Sequence, residues 1–147
     1  GAQGFGLDID WGDYPFVTSS HCTVGSAVLN GIPPQAIRDV WGVAKAYETY
    51  VGSKTFEQPS PVFSKIRDLG KEFGATTGRP RQCGWLEVPL LEKSVKINGV
   101  NKLVFNKMDI LEELNRWMIK HSKDSFETFE DRTKFEEYFR KGRSLDY

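Results

Sequence analysis

Apolar positions recur along this chain with two different periods. Ile37, Val40, Trp41, Ala44 and Tyr47 follow the i, i+3, i+4, i+7 spacing behind Pro33 and Pro34, which predicts a helix with a core-facing stripe. Val51-Gly52 ends it in a short strand or turn, and Glu57 to Pro61 reads as a polar loop with two prolines. Val62, Phe63, Ile66, Leu69 and Phe73 predict a second helix over residues 61–73. Residues 88–97 mix apolar and lysine positions as a short amphipathic helix closed by Asn98-Gly99, and Lys102-Leu103-Val104-Phe105 reads as a short apolar strand. Phe135, Tyr138 and Phe139 share one face of a helix predicted over residues 130–141. Ahead of all these, glycines at 1, 4, 6 and 12 beside the alternation Leu7, Asp8, Ile9, Asp10 predict irregular backbone folded closely around something.

A length of 147 residues fits one domain with a real core. Twenty basic and twenty acidic residues cancel, which argues against nucleic acid or an anionic membrane as a bulk partner. Cys22 and Cys83 lack metal-ligand spacing and read as free thiols of a reducing compartment. With no apolar run of membrane-spanning length and no basic n-region before an apolar core, the expectation is a cytoplasmic protein, here a piece of a longer one because it starts without methionine.

The densest candidate chemistry is Gly74-Ala75-Thr76-Thr77-Gly78-Arg79-Pro80-Arg81-Gln82-Cys83-Gly84-Trp85. Glycines permit close backbone approach, threonines offer hydroxyls, and two guanidinium forks suit anions. Pro80 favours an extended path that can send Arg79 and Arg81 to one side, where both can grip one carboxylate or phosphate. The alternative is a surface loop whose arginines meet water or an acidic neighbour. Asp8 and Asp10 suit either a metal or acid–base pair or turn capping, and Thr18-Ser19-Ser20 either a phosphate cradle or a helix cap. His21 has no evident partner, and His121 reads as solvated. Asn106-Lys107-Met108-Asp109 follows a strand, where ligands bind in open α/β sheets, and resembles the guanine-reading motif of GTP-binding proteins. Its alternative is a helix cap by Asp109 with Lys107 in solvent.

Gly1-Ala2-Gln3-Gly4, Leu7 to Asp10, Tyr14 to Ser20, Gly31-Ile32-Pro33-Pro34-Gln35, Lys45-Ala46-Tyr47, the Gly74 to Trp85 stretch and Lys107-Met108-Asp109 closely resemble, in order and spacing, the adenylosuccinate synthetases. The match covers residues 1–112 and leaves 113–147 as a divergent tail. The resemblance implies an α/β fold, a mostly parallel sheet flanked by helices of the P-loop-NTPase-like synthetase kind, here as the central to C-terminal portion in partial or shortened form. It implies ligation of L-aspartate to IMP with GTP becoming GDP and phosphate, through a 6-phosphoryl-IMP intermediate. The alternatives are a phage-type synthase acting on dGMP and a catalytically inactive nucleotide-binding module.

The same resemblance implies roles for individual residues. Gln3 lies at the purine 6-oxygen as the catalytic member; Gln3, Leu7, Thr18, Val51 and Arg79 contact IMP. Thr76, Thr77, Arg79 and Arg81 take the aspartate carboxylates, and Arg81, Lys107 and Asp109 contact GTP. No residue here is assigned to a metal: the family's glycine-rich phosphate loop with the catalytic aspartate, and a histidine that acts as acid, precede Gln3, and the resemblance implies Mg2+ bound mainly through residues outside this chain. A homodimer is implied. Departures from the family are Trp11 for histidine or phenylalanine, Asp13 for threonine, His21 for asparagine, and Ser53-Lys54-Thr55-Phe56 for a Gly- and Pro-rich turn.

Overall fold

The computed structural model describes residues 3–141; Gly1 and Ala2 of the first motif and everything after Lys141 lie outside the described residues. The chain forms two compact units, one of residues 1–43 and 90–104, the other of 44–89 and 105–147.

In the first unit the glycine-rich opening is irregular as expected, with a 3-10 turn at Phe5–Leu7 and a cis Tyr14–Pro15 peptide. The short helix α1, Gly25–Leu29, follows. Asn98 at the end of α3, Val88–Asn98, accepts from the Val24 N–H at 2.8 Å and so ties α1 to α3. The predicted helix behind Pro33-Pro34 does not form. Pro34–Ala36 makes one 3-10 turn, and the chain then extends into β1, Trp41–Lys45, and β2, Tyr47–Tyr50. In the strand Trp41 and Val43 alternate onto one side, and Gly42 lets the chain lie close beside Val100 and Leu103. Hydrogen bonding to β4, Lys102–Asn106, then satisfies backbone groups that a helix would have paired internally.

The second unit is built on a four-stranded sheet in the order β2-β3-β5-β6, with β3 at Gln82–Glu87, β5 at Trp117–Ser122 and β6 at Ser125–Phe129. β3 and β5 pair in parallel, and β2 and β6 add antiparallel strands on either side, so the class is α/β. Pro61 occupies the first turn of α2, Pro61–Gly70, as proline can without losing a helical bond. The helix stops three residues before the predicted Phe73 because Lys71 turns left-handed, φ 52, and lets Glu72 N–H return to the Arg67 carbonyl at 2.9 Å. Phe63 and Ile66 are buried as predicted, whereas Leu69 and Phe73 stay exposed. Phe63 meets Trp85 of β3 at 5.4 Å between ring centroids. α4, Met108–Glu113, follows β4, and α5, Arg132–Lys141, closes the unit on β5 and β6 through Phe135. The described part of the tail thus packs into the core as a β5–β6 hairpin plus the helix expected from Phe135, Tyr138 and Phe139. No helix among the described residues is long and apolar enough to cross a membrane.

Candidate functional site

Gln3, Leu7 and Thr18 belong to the first unit; Val51, Thr76, Thr77, Arg79, Arg81, Lys107 and Asp109 belong to the second. In the first, Gln3 is exposed ahead of the 3-10 turn, and the Thr18 N–H donates to the Leu7 carbonyl at 2.8 Å, bringing these two residues together. Asp8, fully buried, organises the loop around them. Its Oδ1 accepts the N–H groups of Asp10 and Trp11, each at 2.9 Å, and its Oδ2 accepts that of Cys22. Burial alone would raise the carboxyl, but these three N–H donors and the nearby His21 hold it below its ordinary value. Asp8 is therefore a loop clamp, the turn-capping reading of the sequence. His21, which had no evident partner in the sequence, meets Asp10 at 3.2 Å through Nδ1. Asp8, Asp10 and His21 offer three ligand atoms within 4.8 Å of one another. With both Asp8 oxygens already accepting backbone N–H groups, the set is a poor match for Mg2+, which demands near-ideal octahedral oxygen coordination.

In the second unit the arginine stretch is the tip of a tight hairpin rather than an open loop. Phe73 bridges Pro80, Gly74 N–H donates to the Arg79 carbonyl at 2.8 Å, and Arg81 N–H donates to the Glu72 carbonyl at 3.0 Å. Gly78 takes φ +63, a conformation costly for a side-chain-bearing residue, and closes the turn with its N–H on the Gly74 carbonyl at 2.8 Å. Thr76, Thr77 and Arg79 are exposed at the tip. Gln82 to Trp85 are not loop but the start of β3, with Cys83 and Trp85 buried. Burial pushes the Cys83 thiol up to about 11, so it is a neutral packing group; it and Cys22 are free.

Arg81 points to the most polar interior of the unit. Its Nη1 donates to Glu72 Oε2 at 2.9 Å, and Lys45 Nζ donates to both Glu72 oxygens at 2.8 Å. The Tyr47 hydroxyl donates to Glu72 Oε1, also at 2.8 Å. Burial would raise the Glu72 carboxyl, but Lys45, Tyr47 and the Arg81 charge outweigh it and hold Glu72 low. Tyr47 is pushed well above its ordinary value, first by burial and then by the carboxylate it serves. Gly70 is required here, because a Cβ would fall inside the contact distance of the Tyr47 hydroxyl.

Two residues before Glu72, the Gly70 carbonyl accepts from Lys107 Nζ at 2.8 Å. Lys107 is thus tied to protein, not solvated. It sits left-handed, φ 59, at the head of α4, and Asp109 lies exposed in the first turn of α4 instead of capping it. The segment Gly70–Glu72 therefore brings Lys107 and Arg81 onto one support, while Val51 stands 44% exposed at the bend after β2. His121, expected in solvent, pairs with Glu127 at 2.9 Å. A cleft of about 300 Å³ between Phe63, Trp85, Arg116 and Phe126 includes none of the candidate residues. Sequence reasoning missed Glu72 and Lys45; the signal available was an acid two residues before the Gly-rich turn.

The family model for adenylosuccinate synthetase matches residues 1–133. The adenylosuccinate synthetase of Koribacter versatilis is 54% identical over 118 residues, covering 78% of this chain and 27% of that protein. That of Solibacter usitatus is 51% identical over 121 residues, covering 79% and 27%. The chain thus spans about a quarter of the length of these curated relatives. Among solved structures, fully ligated adenylosuccinate synthetase from Plasmodium falciparum matches with a TM-score of 0.76 and 39% identity, over 88% of this chain and 32% of that one. Succinoaminodeoxyadenylate synthetase of cyanophage S-2L, bound to dGMP and dATP, shares the fold at a TM-score of 0.59 and 20% identity, over 96% of this chain and 48% of that one.

Proposed function

The chain belongs to the adenylosuccinate synthetase family, and from that premise we propose that it supplies the aspartate-binding and guanine-reading part of an enzyme of purine biosynthesis. The reaction joins L-aspartate to IMP while GTP becomes GDP and phosphate. The observation that carries the reading is the 74–81 hairpin: exposed Thr76, Thr77 and Arg79 on a turn closed by backbone bonds, with Arg81 anchored beneath it.

The γ-phosphoryl of GTP passes to the purine 6-oxygen, and the aspartate amine then displaces that phosphate, so the site must hold anions and stabilise a group in transit by position and charge. Thr76, Thr77, Arg79 and Arg81 bind the two aspartate carboxylates; bidentate guanidinium contacts fix the amine's approach. Arg79 also touches the ribose of IMP and Arg81 the GTP. Lys107 lays its stem along guanine, and Asp109, exposed in the first turn of α4, accepts the guanine N1 and N2 hydrogens. Gln3 donates to the 6-oxygen, Thr18 binds the 5′-phosphate, and Leu7 and Val51 contact the nucleotide through backbone or packing. Mg2+ would supply charge neutralisation for the transferred phosphoryl; the Asp8, Asp10 and His21 set suits it poorly, in keeping with a metal bound mainly through residues outside this chain. The protein works in the cytoplasm, as a homodimer.

The test incubates the protein, together with a polypeptide supplying the remaining part of the synthetase, with Mg2+, L-aspartate, GTP and IMP, and measures GDP release and adenylosuccinate formation. Both are expected, and both are lost in Arg81→Leu. Saturable GTP or IMP binding without product would overturn the ligase reading in favour of a binding module; product from dGMP alone would transfer it to the phage-type reaction.

A further inference from the structure

We propose that Glu72 is a positioning residue for Arg81, fixing the guanidinium so that its unused edge is the one presented to an incoming carboxylate. The proposal rests on reading the 74–81 hairpin as the aspartate clamp.

The hydrogen-bond bookkeeping of the cluster leads to it. A carboxylate offers about four lone-pair sites, and the four contacts from Lys45, Tyr47 and Arg81 occupy them. Lys45 is spent as well: its three N–H groups go to the two Glu72 oxygens and to Thr49 Oγ1 at 2.9 Å. Only Arg81 keeps capacity. Among the described residues its guanidinium makes one hydrogen bond, through Nη1, to a group that is 2% exposed, while its own side chain is 33% exposed. The Nη1 end of the fork is held at the buried carboxylate, and the exposed third of the side chain leaves solvent access for a second partner.

The backbone of Arg81 is pinned independently. Its N–H donates to the Glu72 carbonyl at 3.0 Å and its carbonyl accepts from Arg67 Nε at 2.6 Å. Arg67 is itself held by Glu57, whose Oε2 also accepts the Cys83 N–H at 2.6 Å. With the main chain fixed, the freedom left to Arg81 is that of its side chain, and Glu72 removes it. Arg79 has an exposed side chain and no ion pair among the described residues, so one arginine of the pair is preorganised and the other adapts. The charge balance agrees, since two cations share one carboxylate and the cluster keeps one positive charge for a second carboxylate to neutralise.

The experiment uses the full chain labelled with 15N-arginine, following the Arg81 Nε–H resonance without ligand and during titration with L-aspartate. In Glu72→Gln, Arg81 should lose its ordered signal and the dissociation constant for L-aspartate should rise at least tenfold, with Glu72→Asp recovering part of both. Charge alone predicts the opposite sign, because deleting an anion beside Arg81 strengthens anion binding. Tyr47→Phe, which keeps charge and packing, should raise the constant by about two- to fourfold, the scale of one hydrogen bond, and reports on the cluster should Glu72→Gln not fold. An Arg81 signal as ordered in Glu72→Gln as in the parent, or unchanged or tighter aspartate binding, would overturn the proposal. If Arg81 loosens in Glu72→Gln but the parent signal ignores L-aspartate, the positioning role stands and the clamp reading fails, so the two are separable.

Discussion

Replacing Phe135 by alanine tests whether the divergent tail is part of the core. Phe135 is fully buried, with ring centroids at 5.2 Å from Phe139, 5.4 Å from Trp117, 5.6 Å from Phe129 and 5.9 Å from Phe105. A buried phenylalanine removes roughly 150–250 Å² from water, which at about 25 cal/mol per Å² is roughly 4–6 kcal/mol gross. Residual burial in the unfolded chain and the retained Cβ lower this, while the cavity left behind raises it, so about 3–5 kcal/mol is expected. That is a large share of a typical domain's stability of about 5–15 kcal/mol. Urea unfolding followed by tryptophan fluorescence suits the question, because Trp117 is one of the ring partners. Phe126→Ala, at a position 38% exposed, is the control and should cost about 1 kcal/mol or less. A Phe135→Ala cost under about 1 kcal/mol, or one equal to the control, would refute the packing of α5 on β5 and β6.

Three further outcomes follow from particular groups. Gly70→Ala should drive the Tyr47 hydroxyl off Glu72 and destabilise the protein by about 1–3 kcal/mol, seen as a lower urea midpoint that Tyr47→Phe in the same chain partly restores. Glu48, on β2, is pushed up to about 7 by burial and by the Glu87 carboxylate, against the Glu87 N–H it accepts and the lysines Lys120 and Lys54. Because its folded value lies above the unfolded one, the folded state binds the extra proton, and stability falls as pH rises from about 4.5 to 7. Glu48→Gln should therefore gain on the order of 1–2 kcal/mol at pH 8 and nothing at pH 4, measured by denaturation at both. Asp8→Asn should cost about 1–3 kcal/mol, since an amide cannot accept from Asp10, Trp11 and Cys22 together. The carboxyl is held low in the fold, so the parent loses this contribution as pH falls below about 4, whereas Asp8→Asn should show no such loss in a pH series of melting curves.

Much of the secondary structure is legible because local rules decide it. Pro61 in the first turn, Gly99 after α3, and the Phe135, Tyr138, Phe139 face each specify an element within one window. The segment 33–47 misleads because Ile37, Val40, Trp41, Ala44 and Tyr47 carry helical spacing, while the deciding partner, β4, lies some sixty residues away, outside any periodicity window. The β5–β6 hairpin hides for another reason: its turn, Lys123-Asp124, carries no glycine or asparagine to announce it. In the site, motif residues are readable because several stand together, as Thr76, Thr77, Arg79 and Arg81 do. Glu72 is not, because its partners Lys45 and Tyr47 come from strands more than twenty residues earlier and only folding assembles them.

Each unit turns on one buried acid, and the difference between the two acids separates architecture from function. Asp8 is satisfied by backbone N–H groups, which have no further bonds to give, so its work ends when the loop around Leu7 and Thr18 is shaped. Glu72 is satisfied by side chains, and one of them, Arg81, has donors to spare and reaches solvent. A buried carboxylate held by two cations is a poor way to gain stability, since desolvation consumes most of the attraction and apolar replacements are often as stable. What the arrangement does provide is a guanidinium whose orientation is fixed before any ligand arrives. The same short segment carries the Gly70 carbonyl that anchors Lys107, so the residues assigned to the carboxylates and to the base hang from one support at the end of α2. A change that moves Gly70–Glu72 must therefore displace both, and Gly70→Ala is expected to weaken L-aspartate and GTP binding together where Arg79→Leu, assigned to the aspartate carboxylates and the IMP ribose, leaves GTP binding unchanged.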